Sequence, residues 1–281
     1  MRRITFLCLL LTLFAAPSAF ARKSSAPLRV ATYNIRMNTA GDKENAWPNR
    51  AAEVRALINF HRFDIFGTQE GFIGQLKDLL ELPGFAYVGV GRDDGKEEGE
   101  HSAIFYRKDR FEVLQHGDFW FSLTPEEPSF GWDAKIRRIC SWAEFKDKES
   151  GKRFFVFNSH FDHQGPIARK ESAKLLIQKI EAIAGKRPFF CTGDFNAVPT
   201  DEPIRILYEK FSDSYKVSEN PPYGPEGTSN GFKHDSPLNN RIDYIFVNPS
   251  IRVLRYGVLS DSKNNRYPSD HLPVVIDAVV K

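Results

Sequence analysis

The chain has 281 residues, 41% of them hydrophobic and 13% aromatic, with a formal net charge of +3. That length can bury a large core and suits one α/β domain or sandwich. Residues 1–21 hold two arginines and no acid, so the remainder carries +1, and bulk charge gives no support to a life spent on non-specific duplex binding.

Arg2 and Arg3 precede an apolar run from Ile4 to Ala16, and Ala19-Phe20-Ala21 has the small-x-small form of a cleavage site. The pattern predicts a secretory signal peptide, too short in its apolar part for a permanent membrane anchor. It places the mature start near Arg22 and the protein in the periplasm or outside the cell. Cys8 lies within the apolar run rather than at its end, which does not fit a lipoprotein anchor. Residues 22–281 read as one domain. The cysteines in it, Cys140 and Cys191, sit in apolar strand-like segments, compatible with a disulfide or with two buried thiols.

Leu28 to Ile35 is rich in β-formers and ends in Asn34-Ile35-Arg36. Helical spacing over residues 48–60, with Pro48 in the first turn, predicts a helix. Phe63 to Thr68 reads as a buried strand ending in Gln69-Glu70, followed by a helix from about Phe72 to Leu82. This alternation argues for an α/β class. Residues 91–100 are glycine and charge and predict a mobile loop. Strands are predicted at Ser102–Tyr106 and Phe111–Trp120, then a proline-rich loop from Thr124 to Trp132. Arg137–Phe145 and Arg153–Phe161 alternate as an antiparallel pair. A helix over Ile167–Ala184 leads into the apolar run Phe189–Thr192, which breaks at Gly193 into Asp194-Phe195-Asn196. Residues 218–240 form a long Pro/Gly/Asn-rich loop, a length usually reserved for function or disorder. Strands at Arg241–Val247, Ile251–Leu259 and Leu272–Val279 close the chain.

Polar groups stand at several strand ends: Asn34, Gln69-Glu70, Asn158-Ser159-His160, Asp194 with Asn196, and Asp270-His271, with Asp243 embedded in apolar neighbours. Open α/β sheets place ligands at the carboxyl ends of their strands. Each residue has a structural explanation when taken singly: Asp194 an Asx-turn, Glu70 a helix-start acid, His160 a core histidine, Asp243 the partner of Arg241. Together they suggest a site.

In order along the chain, Tyr33-Asn34-Ile35-Arg36, Thr68-Gln69-Glu70, Asn158-Ser159-His160, Gly193-Asp194-Phe195-Asn196, Arg241-Ile242-Asp243-Tyr244-Ile245-Phe246 and Ser269-Asp270-His271 resemble the endonuclease/exonuclease/phosphatase superfamily. The resemblance implies a four-layer α/β/β/α sandwich with two facing mixed β-sheets and metal-dependent hydrolysis of a phosphate ester. It implies Glu70 as first metal ligand, with Asn34 beside it as a second and Asp270 as a further oxygen ligand. Oxygen ligands without cysteine favour Mg²⁺ or Mn²⁺. Asp194 then activates water with Asn196 positioning it, His271 donates to the phosphate, and Asp243 orients His271. His160 matches the second histidine of pancreatic-type deoxyribonucleases, with Glu100 in the place of its acidic partner. Arg137 or Arg138 occupies the position of a phosphate-contacting arginine. His163 reads as a surface histidine. Trp132 and Phe232 suit either stacking on a substrate ring or local packing.

Departures narrow the substrate. AP endonucleases carry an acid where Arg36 stands, the inositol 5-phosphatase signature before the late acid is missing, and no sphingomyelinase membrane hairpin is evident. The expectation is a secreted or periplasmic Mg²⁺-dependent phosphoesterase, foremost a phosphodiesterase of nucleic acid or a nucleotide-like diester. A lipid or sugar-phosphate phosphatase of the same fold, and a non-catalytic binding protein on this scaffold, are the alternatives.

Overall fold

The computed structural model describes residues 27–281; the predicted signal peptide lies outside the described residues. In chain order the elements are β1 (Leu28–Asn34), α1 (Ala51–Phe60), β2 (Ile65–Gln69), α2 (Ile73–Leu79), β3 (Phe85–Val88), β4 (Ile104–Arg107), β5 (Phe111–Trp120), β6 (Ile139–Asp147) and β7 (Arg153–His160). There follow α3 (Pro166–Ile183), β8 (Phe189–Asp194), α4 (Glu202–Tyr208), β9 (Ser212–Asp213), α5 (Ser214–Val217), β10 (Asp243–Val247), β11 (Ile251–Val258) and β12 (Val274–Val280). They form two six-stranded sheets, ordered β11-β12-β1-β2-β4-β3 and β5-β6-β7-β8-β10-β9. The first sheet is built from the two ends of the described chain, the second from its middle.

Strand alternation explains the layering. Val30, Ile65, Phe154, Val156, Phe190, Ile245 and Ile276 point inward and fuse the sheets into one core. Their neighbours point outward: Ala31, Tyr33 and Phe66 meet Val54, Leu57 and Leu76 of α1 and α2. On the other side Phe155, Phe157, Cys191 and Phe246 meet Leu176, Ile180 and Ile204 of α3 and α4. Sheets apolar on both faces need helices on both outer sides. The expected four-layer sandwich is what the chain builds.

Each sheet carries one parallel pair, β1 with β2 and β7 with β8. Their carboxyl ends bring Asn34 beside Gln69 and His160 beside Asp194, while antiparallel β10 sets Asp243 opposite Asp194. A buried polar weld sets the spacing between the sheets just below these ends. Gln69 Nε2 donates to Asn158 Oδ1 at 2.7 Å, and Asn158 Nδ2 donates to the Thr68 and Ala103 carbonyls at 2.8 and 3.0 Å. Gly67 permits this approach, since a Cβ there would lie 2.2 Å from Asn158 Oδ1.

One expectation changes, and one left open is decided. Residues 91–100 form a closed turn rather than a mobile loop: the Gly91 N–H donates to the Lys96 carbonyl at 2.9 Å, Arg92 N–H to Glu100 at 3.0 Å, and His101 N–H to Gly71 at 2.9 Å. Inside it Arg92 grips Glu100 through two bonds of 2.6 and 2.8 Å. Opposite charges that pair with each other resemble solvated charge when read in sequence. Cys140 and Cys191 are free buried thiols. Residues 218–240 are irregular as expected, yet anchored: Thr228 accepts from the Leu272 N–H at 2.6 Å, and Asn230 N–H donates to the Asp270 carbonyl at 2.7 Å.

Candidate active site

The strand ends converge on a cleft of about 320 Å³ lined by Arg36, Met37, Glu70, Glu100, Ile136, Arg138, His160, His163, Asp194, Asn196, Asp270 and His271. Three of these residues leave their strands in the left-handed region, with φ of 55° at Arg36, 64° at Glu70 and 47° at Asn196. Such a turn costs a side-chain-bearing residue about 1–2 kcal/mol and is kept mostly where geometry must be exact.

Asn34 ties the two sheets together at the floor. Its Nδ2 donates to Glu70 Oε1 at 2.9 Å and to Asp194 Oδ2 at 3.0 Å, while its Oδ1 accepts from the Arg36 N–H at 3.0 Å. The amide therefore presents nitrogen, not oxygen, to the acids: it holds the carboxylates, which differs from the ligand role expected of it. Glu70 Oε2 also accepts from the Met37 N–H at 3.1 Å. Burial pushes Glu70 up, but the Asn34 bond, the His271 charge, the Met37 N–H and Arg36 outweigh it and hold Glu70 below its ordinary value.

Asp194 is 1% exposed. Burial and the Asp243 carboxylate push it up to about 7, against the pull of His271 and of bonds from Asn196 and Asn34. The Asn196 N–H donates to Asp194 Oδ1 at 2.9 Å, the Asx-turn expected there, and the same turn serves the site. Asp243 bonds His271 Nδ1 through Oδ2 at 2.8 Å, leaving His271 Nε2 3.9 Å from Asp194 Oδ2. Burial opposes a charge on His271, yet Asp243 and Asp194 raise it well above its ordinary value and so favour the imidazolium. Arg241, the other candidate partner for Asp243, instead pairs with Asp213 at 2.8 Å.

His160 behaves oppositely. Asn196 Nδ2 lies 3.1 Å from its Nε2 and also donates to the Phe161 carbonyl, so Nε2 accepts and the ring proton sits on Nδ1. Burial, then the Arg138 and Arg92 charges, lowers His160 well below its ordinary value and keeps it neutral. Its expected partner Glu100 stands 3.7 Å from Nδ1, beyond hydrogen-bond range, because Arg92 has captured the carboxylate.

The two arginine candidates separate. Arg138 is 3% exposed, faces the cleft, and leaves its buried Nη1 without a protein partner. Arg137 points elsewhere, stacking on Phe130 at 4.6 Å and pairing with Asp93 at 3.5 Å. Trp132 packs against the outer core of the second sheet, and Phe232 lies under the Arg50 guanidinium at 5.4 Å; neither lines the cleft. Arg36 lines it but is held by Asp42 at 2.9 and 3.0 Å, with Glu70 at 3.7 Å and Asp270 at 3.9 Å. His163, read as a surface residue, is exposed and also lines the cleft. Met37, Ile136, Asp162 and Arg92 were not legible as site residues: two are apolar, and two act through charges distant in sequence.

Residues 31–271 match the Endonuclease/Exonuclease/phosphatase family. This chain belongs to that family. Its members hydrolyse phosphate esters with a divalent metal, and so does this protein. Among solved structures, a mannosyl-6-phosphatase of Bacteroides thetaiotaomicron is 46% identical, with a TM-score of 0.87 over 90% of this chain and 99% of its own. An uncharacterized protein of Acanthamoeba polyphaga mimivirus is 29% identical over 82% of this chain and 91% of its own length. The human Nocturnin catalytic domain is 22% identical, with a TM-score of 0.71 over 92% of this chain and 96% of its own, a likeness of fold.

The residues fit a hard divalent ion. One ligand atom each from Glu70, His160 and Asp194 lies within 4.8 Å of the others, as do atoms from Asp194, Asp243 and His271. Two buried carboxylates, Asp194 and Asp243, and the half-buried Glu70 around His271 leave excess negative charge that a cation would neutralise. Asp270 lines the same cleft outside these two groups.

Proposed function

We propose that this protein is an exported phosphomonoesterase of sugar phosphates, using Mg²⁺ or Mn²⁺. The observation that carries the reading is the 46% identity to the B. thetaiotaomicron mannosyl-6-phosphatase across nearly its full length. The sequence pattern put a diester first and a sugar phosphate second; support for the diester comes from neighbours that share only the fold. Export follows from the signal-like residues 1–21, and N-terminal sequencing of the secreted protein is expected to begin near Arg22.

Glu70 would hold the ion, with Asn34 fixing its carboxylate and Asp270 supplying further negative charge. The ion would neutralise phosphate charge and polarise the phosphorus–oxygen bond. Asp194, poised near 7 between two sheets, takes a proton from the attacking water, and Asn196 and His160 fix where that water sits. His271, charged by Asp243, donates from Nε2 to a phosphate oxygen. The unpartnered Nη1 of Arg138 offers a second donor.

The test is release of phosphate from hexose 6-phosphates, and of p-nitrophenol from p-nitrophenyl phosphate and bis-p-nitrophenyl phosphate, with Mg²⁺, Mn²⁺ or EDTA. Metal-dependent release from the sugar phosphates and the monoester, stopped by EDTA, is expected. Turnover confined to the diester would overturn the monoesterase reading.

A further inference from the structure

We propose that His163 determines specificity by donating from Nε2 to a hydroxyl of the substrate's polyol portion, with Arg138 fixing the ring tautomer that makes this possible. The inference rests on the sugar-phosphate reading and extends it from the phosphate to the alcohol.

The site is graded in burial. Asp194, His271, His160 and Arg138 lie at its buried depth, where the charges suited to a phosphate are concentrated. Met37 and Ile136 are half-buried and His163 is exposed, so they form the rim of the same cleft. A phosphate drawn to the depth leaves its organic portion against this rim. Two apolar side chains beside a polar donor match a sugar, whose C–H face is apolar and whose hydroxyls need partners.

Arg138 Nη2 lies 2.9 Å from His163 Nδ1. A guanidinium has donors only, so Nδ1 accepts. Burial and the Arg138 charge keep His163 below its ordinary value, in the neutral form. The single ring proton therefore sits on Nε2. The exposed Gln164 amide nitrogen is placed 3.0 Å from Nε2; because Nε2 already carries the proton, the amide group is turned about so that its oxygen accepts there. A substrate hydroxyl oxygen can take the place of this exposed amide. The turn bearing His163 is fixed from below: Asp162 Oδ2 accepts from the Gln164 and Gly165 N–H groups at 3.0 and 2.7 Å, and its Oδ1 faces Arg138 Nε at 3.4 Å. Arg138 thereby links the buried phosphate end of the cleft to its rim.

The test compares wild type with His163→Ala and His163→Gln on mannose 6-phosphate and on p-nitrophenyl phosphate, which has no hydroxyl to read. Alanine is expected to lower kcat/KM for the sugar phosphate about five- to tenfold more than for the aryl ester, mainly through KM, as the loss of one hydrogen bond implies. Glutamine keeps a donor near the Nε2 position and recovers part of the preference. Equal losses on both substrates in the alanine variant, or no recovery with glutamine, overturn the His163 assignment and leave the sugar-phosphate reading intact. A wild-type enzyme that turns over p-nitrophenyl phosphate but no hexose phosphate overturns the reading itself, and this inference with it.

Discussion

Asp194 sits where three demands meet: it accepts from Asn34, faces the Asp243 carboxylate across the β8–β10 pair, and lies in reach of two histidines of opposite charge state. Its burial is costly for a charge, which is why its proton is held to about 7. The Asp194→Asn variant removes the base and the cost together. Turnover is expected to fall about 10²–10⁴-fold, while the melting temperature in EDTA stays level or rises. A stability loss matching the activity loss would mean that Asp194 is structural. The residue types of this site were legible because polar groups at strand ends have few reasons to be there. Partners were less so. Glu100 was paired in expectation with His160, but Arg92, eight residues before it, outcompetes a neutral imidazole with a bidentate bond. His163 reads in sequence as a surface histidine and is exposed, and only the fold shows that it also lines the cleft.

The long strands announced themselves by alternation, and their observed bounds differ from the expected ones by a residue or two. The elements that went unseen, β3, α4, β9 and α5, have 4, 7, 2 and 4 residues, too few for a period to show. Single acids can nevertheless hold neighbouring strands. Asp277 on β12 accepts from Arg29 Nε of β1 at 2.7 Å and is also bonded by Arg255 of β11. Burial pushes Asp277 up, but the Arg29 and Arg255 bonds and charges outweigh it and hold it below its ordinary 3.8. A carboxylate depressed in the folded state adds stability above its unfolded value and loses it as pH falls through the folded one. Asp277→Asn is therefore expected to lower the urea midpoint at neutral pH by the equivalent of about 1 kcal/mol, the scale of a pair partly screened by solvent. The gap to wild type should close as pH falls below 3.8. A gap that persists unchanged in acid would assign the loss to packing.

The whole molecule depends on one distance, that between the sheets beneath the site. Gly67 and Asn158 set it, and a methyl group at 67 would meet the Asn158 amide at 2.2 Å. Gly67→Ala is expected to cost about 1–3 kcal/mol by overpacking. Activity should fall beyond what the remaining folded fraction explains, because Asn34 and Asp194 would no longer share a bond across the gap. Unchanged kinetics in a folded Gly67→Ala protein would refute the spacing argument. The layer order was legible through the resemblance of the strand-end motifs to the superfamily, while the alternation of elements alone gave an α/β class. The weld was not, since Gln69 and Asn158 carry the same signature as catalytic polar groups and only their bonds to each other and to the Thr68 and Ala103 carbonyls tell them apart.

The division of the chain between the sheets also has a temporal side. Neither half holds a working set of groups: Glu70 and His271 belong to the sheet made from the chain's ends, and Asp194, His160 and Asp243 to the sheet made from its middle. The most distant contacts in sequence close slowest, because a long loop must be ordered before they reward it. The most distant pairing, β1 with β12, lies within the end-built sheet, so catalysis acts as a clock for assembly, silent until that sheet has closed and the two faces have docked.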